Sequence, residues 1–398
     1  MACVRAALLA SMILAAAACS SLPGSSGQAS SRPTAPTPAG SPGAFAFPSP
    51  SPGGITPPAP LAVTCPYRVP RVANLALVTL RGTTGVIVRD ISDLSNPISR
   101  CVVHGTGANF IRFVDWSHIS YIVTNANGDG ALYLADLLSR KSSLVRAWTD
   151  EASMYWVYAW SPDAKALSYV SSDSAGVTWH VLSAAGDVTL SRFGPIPGRG
   201  ANPDSDDAMT GFSADGQYVA LEHTFSPPDS TTPPFQVVRL SDHKLVYSRK
   251  DGTMATWAGS GSRLLFRTLA GVESWDPKSG VQVAVPGLAW IHPWPSPDGL
   301  RIVYNAPDGT GNHHAGYLRL TDQPLVGREL SLQPRTGAAF LNSTLVWYAA
   351  ESICTQVSCG IGGPPLTGRT YLRDLVTGTE RVSIDTAVFD SWPHVGAA

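Results

Sequence analysis

One short stretch, Ala159 to Ser171 (AWSPDAKALSYVS), constrains this chain more than any other, because the chain writes it several times. An aromatic residue precedes Ser-Pro-Asp, small residues follow, and a short apolar run comes next. The same shape returns as GFSADGQYVALEH from Gly211, PSPDGLRIVYNA from Pro295 and VDWSHISYIVTN from Val114. Anchors at this turn fall at Trp116, Trp160, Phe212, Trp257, Pro295 and Phe340, with spacings of 38 to 52 residues. Such a period is that of a propeller blade. Between anchors lie four short runs rich in Val, Leu, Tyr and Trp, separated by Gly, Asp, Ser and Pro, the pattern of strands and turns.

The unit around Trp160 reads as strand A SMYWVYAW, strand B ALSYVS, strand C VTWHVLS and strand D DVTLSRF; the next reads DAMTGF, YVALEH, FQVVRL and KLVYSR. Strand C turns into strand D on Asp plus Gly at Asp276 and again at Asp374. Ser-Pro-Asp-Gly is turn chemistry, since Pro fixes φ, Asp caps nearby backbone and Gly accepts positive φ. A four-stranded sheet with two apolar faces is unstable alone, and stacking such sheets around an axis buries both faces. The anchor aromatic is expected to wedge between neighbouring blades. Asn74 to Val103 holds three strands and lacks an A strand, whereas the C-terminus holds one strand, TAVFDSWPH, with Trp392 at the anchor position. The expected fold is therefore an all-β, seven-bladed β-propeller in which the C-terminal strand joins the N-terminal blade; six blades is the alternative count.

The units at Trp160-Ser161-Pro162-Asp163, Phe212-Ser213-Ala214-Asp215-Gly216 and Pro295-Ser296-Pro297-Asp298-Gly299 resemble the WD40-like Pro-Asp repeats of the TolB-type propeller family. The resemblance fades at Trp257-Ala258-Gly259 and Phe340-Leu341-Asn342 and covers Asn74 to His394. It implies an extracytoplasmic propeller that binds other proteins. A propeller supports many chemistries, so the fold alone assigns none.

The N-terminal residues 1–18 read as an export signal: Arg5 supplies positive charge, Ala6 to Ala18 is apolar, and the segment is too short to span a bilayer stably. Ala-Ala-Ala-Cys resembles a bacterial lipobox, with Ala16 where that pattern prefers Leu, and implies lipidation of Cys19 and anchoring to the outer face of a cell membrane. Residues 19–60, dominated by Ser, Pro, Gly, Ala and Thr, form a linker that cannot offset its ordering entropy by burial. Fully extended, forty such residues would reach roughly 120 Å. Residues 61–398 form the propeller domain. A net charge of −1 argues against a nucleic-acid partner, which needs a basic footprint. Four cysteines remain in the domain, an even number that in an exported chain reads as two disulfides. Cys354 and Cys359 lie five apart and pair; Cys65 then pairs with Cys101 and pins the N-terminal lead to its own blade.

In a propeller the B–C and D–A connections share one face. The long connections here are all of that kind: Gly194 to Asp207, Thr224 to Pro234, Ala306 to His314 and Glu351 to Thr367. Long loops on a rigid scaffold are usual places for binding. Candidate binding-face residues are Arg199, Asp204, Asp206, Asp207, His223, Asp229, Asp308, His313, His314 and Glu351. Asn125, Asn127, Asp129 and Asp136 have the alternating oxygen spacing of a calcium loop, and calcium is the one cofactor considered. No catalytic residue is assigned, since neither a G-x-S-x-G elbow nor a Gly-rich phosphate loop occurs. The expected function is a membrane-tethered, monomeric scaffold that binds a protein or envelope component through its long loops. The alternative is a propeller hydrolase or lyase acting on a glycan or small molecule through central-face carboxylates.

Overall fold

A computed structural model describes residues 56–71, 74–105, 109–149, 154–173, 176–193, 208–223, 233, 235–353 and 366–394. These residues build seven antiparallel sheets, six of four strands and one of five. Lettering each sheet A to D from the inside outward, the A strands are Asn109–Asp115 in blade 2, Met154–Trp160 in blade 3, Ala208–Phe212 in blade 4, Thr253–Ala258 in blade 5, Ile291–Pro295 in blade 6 and Arg335–Phe340 in blade 7. Blade 1 takes its A strand, Asp385–Trp392, from the far end of the chain, and pairs it with Leu75–Leu80 from Leu75↔Trp392 to Leu80↔Asp385. Each A strand touches the A strand of the next blade, and the last touches the first, so the ring is closed with seven blades. A fifth strand, Val63–Thr64, lies on the outer edge of blade 1 against Ile98–Val103, and the disulfide Cys65–Cys101 fixes it there, as the cysteine spacing predicts.

The repeated turn does what its residues dictate, with one addition. Ser161, Ser213 and Ser296 each donate a hydroxyl hydrogen bond to the aspartate two residues on, at 2.5 to 2.7 Å, and each hydroxyl accepts the amide of the residue five on. Ser, not only Pro and Asp, therefore closes the turn. Ala164 takes the positive φ (59°) that Gly216 and Gly299 take in their units. Trp116 departs from the expectation. Asp115 pairs directly with His118 and caps Ser117 and His118, so Trp116 sits within the turn and not at the end of strand A. The connection from strand C to D is short in most blades, but blade 6 runs from residue 320 to 327.

Apolar side chains pack between blades. Val157 and Trp179 of blade 3 share a cluster with Val219 and Leu221 of blade 4; Leu345 and Trp347 of blade 7 share one with Ala76 and Ile87 of blade 1; Trp392 packs with Leu75, Leu77, Phe113 and Tyr121 across blades 1 and 2. The inner edge of an A strand carries backbone groups that no neighbouring strand pairs. Side chains of adjoining blades reach some of them. Tyr158 donates to the Phe110 carbonyl, the Trp257 indole to the Gly211 carbonyl (2.8 Å), the Trp290 indole to Met254 (3.1 Å) and the Trp347 indole to Asp385 (3.1 Å). Ala255 N donates to Glu222 (3.0 Å), Ala338 N to Asn305 (3.4 Å) and Phe113 N to Asp390 (2.7 Å), while Ser168 and Thr210 join blades 3 and 4 at 2.8 Å. Every one of the seven blade interfaces thus carries a side-chain hydrogen bond at the inner strands.

Candidate functional site

Three connections longer than ten residues, 194–207, 224–234 and 352–365, begin and end on the face that carries the B–C and D–A connections. The fourth expected one, Ala306 to His314, is short: Ala306 pairs with His314 and Pro307 with His313 in the sheet, leaving only 308–312 as connection. Arg199, Asp204, Asp206, Asp207, Asp229, Cys354 and Cys359 lie outside the described residues, as does Cys19. The remaining candidates fall into two arrangements and one exception.

Glu351 ends strand B of blade 7 and His313 begins strand C of blade 6. The structure brings them together across the blade interface. Glu351 is 6% exposed. Its carboxylate accepts the His313 backbone N–H at 2.8 Å, the His313 ring Nδ1–H at 2.7 Å and the Asn312 amide at 3.4 Å. Asn312 also donates to the Ser352 carbonyl at 2.8 Å. The carboxylate therefore ties two B–C connections together. Next to this pair, His314 Nε2 meets Asp308 at 3.0 Å, and the Asp308 side chain caps Thr310. The two adjacent histidines diverge onto different carboxylates.

His223 goes the other way. It follows Val219 and Leu221 at every second position of strand B in blade 4, which turns it inward. It is 1% exposed, with its ring 4.1 Å from the Phe193 ring, and burial lowers its pKa to about 4. It is a neutral interior histidine and not part of the face.

Asn125 accepts the amides of Asn127 and Asp129 and donates to the Asp129 carboxylate at 2.9 Å, closing the turn on itself. Asp136 stands at the other end of strand C of blade 2, Gly130–Asp136, roughly 20 Å away at ~3.3 Å per residue, and caps Leu138 and Ser139. The four residues do not form one loop. Among the described residues no group of three or more His, Cys, Asp or Glu is placed to hold a metal.

A second feature lies on the axis. A cavity of about 610 Å³ is lined by residues of all seven A strands. Trp160, Trp257, Trp294, Trp347, Phe113, Phe212 and Phe389 supply its apolar rings. Its ionisable groups are Arg112, Glu222, His292, Asp390 and His394. Asp390 is already engaged by Phe113 N, Ser391 N and His394 (2.9 Å). Arg112 lies 5.9 Å from the centre of the Tyr158 ring. Glu222 accepts Ala255 N, and burial pushes its carboxyl above the usual carboxylate range, with the Ala255 and Met254 amides and Arg267 opposing. The folded chain therefore holds this proton to higher pH than the unfolded chain, so Glu222 lowers stability as pH rises through that interval. Glu222→Gln is expected to remove this loss. In urea titrations at pH 4.5 and 7.5, the variant should gain on the natural chain at the higher pH; an equal difference at both would show that the carboxyl titrates normally.

No sequence signal marked Glu222, because its burial depends on blade 5 closing over it. The small residues Ala159 and Gly211 just ahead of the anchors were the one trace of a cavity.

The topology defines the class, an all-β seven-bladed propeller closed by its own C-terminal strand. No protein-family model matches the chain, and no curated protein matches it in sequence. Among solved structures it is similar to TolB from Acinetobacter baumannii (14% identity over 66% of this chain and 65% of that one, TM-score 0.43). It is also similar to the periplasmic gluconolactonase PpgL of Pseudomonas aeruginosa (14% identity, 80% and 98%, TM-score 0.49) and to a prolyl endopeptidase (15% identity, 81% and 50%, TM-score 0.49). The chain spans just under two thirds of the TolB chain and half of the endopeptidase.

Proposed function

We propose that this chain is an extracytoplasmic scaffold, held to a cell membrane by a lipidated Cys19, that binds a protein or envelope component on its B–C and D–A face. One observation carries the reading. Leu269, Leu332, Ile353, Leu366 and Ile384 all stand in or at the ends of B–C and D–A connections, from blade 5 round to blade 1, and are 60% to 101% exposed. Exposed apolar side chains mark interaction surfaces, and an apolar core ringed by polar groups is what a protein partner buries. The opposite face also exposes Leu138, Leu300, Val326 and Val376, but at 45% to 74%. The polar groups nearby, Glu351 with His313 and Asp308 with His314, hold the platform in shape.

The test is a photo-reactive residue placed at Leu332 or Asp308 in cells, against the same residue at Lys278 on the opposite face. A discrete adduct is expected from the first two and not from Lys278, and Leu269→Asp with Leu332→Asp should abolish it without lowering thermal stability. The same adduct from both faces would sink the proposal. Cys19→Ser should move the protein out of the membrane fraction. The enzyme reading rests on Glu222 and Asp390 lining the axial cavity from blades 4 and 1; it requires a turnover that Glu222→Gln removes.

A further inference from the structure

A propeller closes around a central channel, and what that channel can hold is decided by the side chains that line it. The inner strands hold it open with small residues: Ala159, Gly211, Thr256 and Ala339 line it. At Gly211 the space admits a larger residue. A side-chain carbon at Gly211 would meet only the Trp257 ring, at 3.5 Å, an ordinary contact.

The wall has a definite chemistry. Trp160, Trp257 and Trp347 each carry one polar atom, and each commits it to the protein: to Ser120 at 2.9 Å, to the Gly211 carbonyl and to the Asp385 carbonyl. What these three offer a ligand is ring surface. Asp390 is spent on Phe113, Ser391 and His394. Glu222 accepts the Ala255 amide at 3.0 Å with the Met254 amide beside it, and Arg267 attracts it electrostatically; a carboxylate has about four acceptor positions, so it retains capacity for a further donor. An anion would meet Glu222 and Asp390; a cation would meet Arg112. Arg112 and Phe389 are exposed at the cavity, so it communicates with solvent.

We propose that the axial cavity binds a small, uncharged ring compound bearing a hydroxyl, which lies against the tryptophan surfaces and donates its O–H to Glu222. Apolar pockets of this volume with a few placed polar groups are typical of small-molecule sites. The site is distinct from the loop-face docking surface and stands whether or not that surface has a partner.

The experiment uses the purified full chain and three probes: 4-phenylphenol, biphenyl and biphenyl-4-carboxylate. Tryptophan fluorescence and the thermal midpoint are followed against probe concentration. The phenol is expected to saturate one site below about 1 mM and to raise the midpoint by mass action. Biphenyl should bind about tenfold more weakly and the carboxylate weaker still. Thr256→Trp, which fills the cavity, should weaken the phenol at least about tenfold, with Ala339→Phe as a second filler if the first does not fold. Glu222→Gln should narrow the gap between phenol and carboxylate. No saturable binding overturns the proposal. So does binding that both fillers leave unchanged, or a carboxylate that binds as well as the phenol.

Discussion

Removing residues 385–394 will leave a chain that no longer unfolds cooperatively. The lost strand is the whole inner edge of blade 1, paired along Leu75–Leu80. It carries Trp392, 8% exposed in the core between blades 1 and 2, and Asp390, which holds Phe113 N of blade 2. It also carries Asp385, whose carboxylate pairs with Arg89 in a contact where both side chains are under a tenth exposed. Stripping the partner from a buried charge costs about 3–5 kcal/mol on its own. Unsealing two blade faces adds the loss of several large apolar side chains, at about 1.5–3 kcal/mol each. Against a typical stability of roughly 5–15 kcal/mol, little remains. Near-ultraviolet circular dichroism should collapse and the urea transition should broaden. The single change Asp385→Ala should retain a sharp transition but lose about 3–5 kcal/mol. A truncated chain with a sharp, unshifted transition would mean that six blades hold the fold without the seventh.

Replacing both Cys65 and Cys101 by Ala is expected to lower stability by about 4 kcal/mol. The bond closes a loop with a sequence separation of 36, and the chain-entropy relation gives that magnitude for such a loop. The two-residue strand Val63–Thr64 makes two pairings with the outer edge of blade 1, His104 N adds a bond to the Ala62 carbonyl at 2.9 Å, and the disulfide is the covalent tie among them. Urea unfolding with and without reductant reads the effect: the natural chain should fall to the level of the variant when reduced, and the variant should ignore reductant. Equal stability of the two proteins under oxidising conditions would show that the pairing and packing of residues 58–64 suffice.

The fold was legible because its signal is local and repeated. Strand B of blade 4, Tyr218–His223, and strand D, Lys244–Arg249, fall on the residues that the pattern marks. Trp116 was misplaced because Asp115 performs the capping one step early, a choice made by side-chain hydrogen bonds and not by composition. Three of the four long connections were legible from their turn-rich composition; Ala306 to His314 was not, because its ends extend the strands of blade 6. The pairing of His313 with Glu351 was not, since it joins residues 38 apart on two blades. The burial of His223 was within reach, because alternation with Val219 and Leu221 already pointed it inward. The cavity was not, because the same small residues fill space elsewhere.

The register Leu77↔Asp390 has a temporal side. Synthesis and any threading across a membrane deliver the amino end first. Strand Leu75–Leu80 therefore emerges with one edge unpaired and must wait for about three hundred residues before its partner arrives. During that interval blade 1 is an open template for any extended segment that passes, including the inner strand of the wrong blade or of another copy. The propeller strand made last is thus the latch, and the early-forming bond between Cys65 and Cys101 guards only the outer side of the sheet that waits for it.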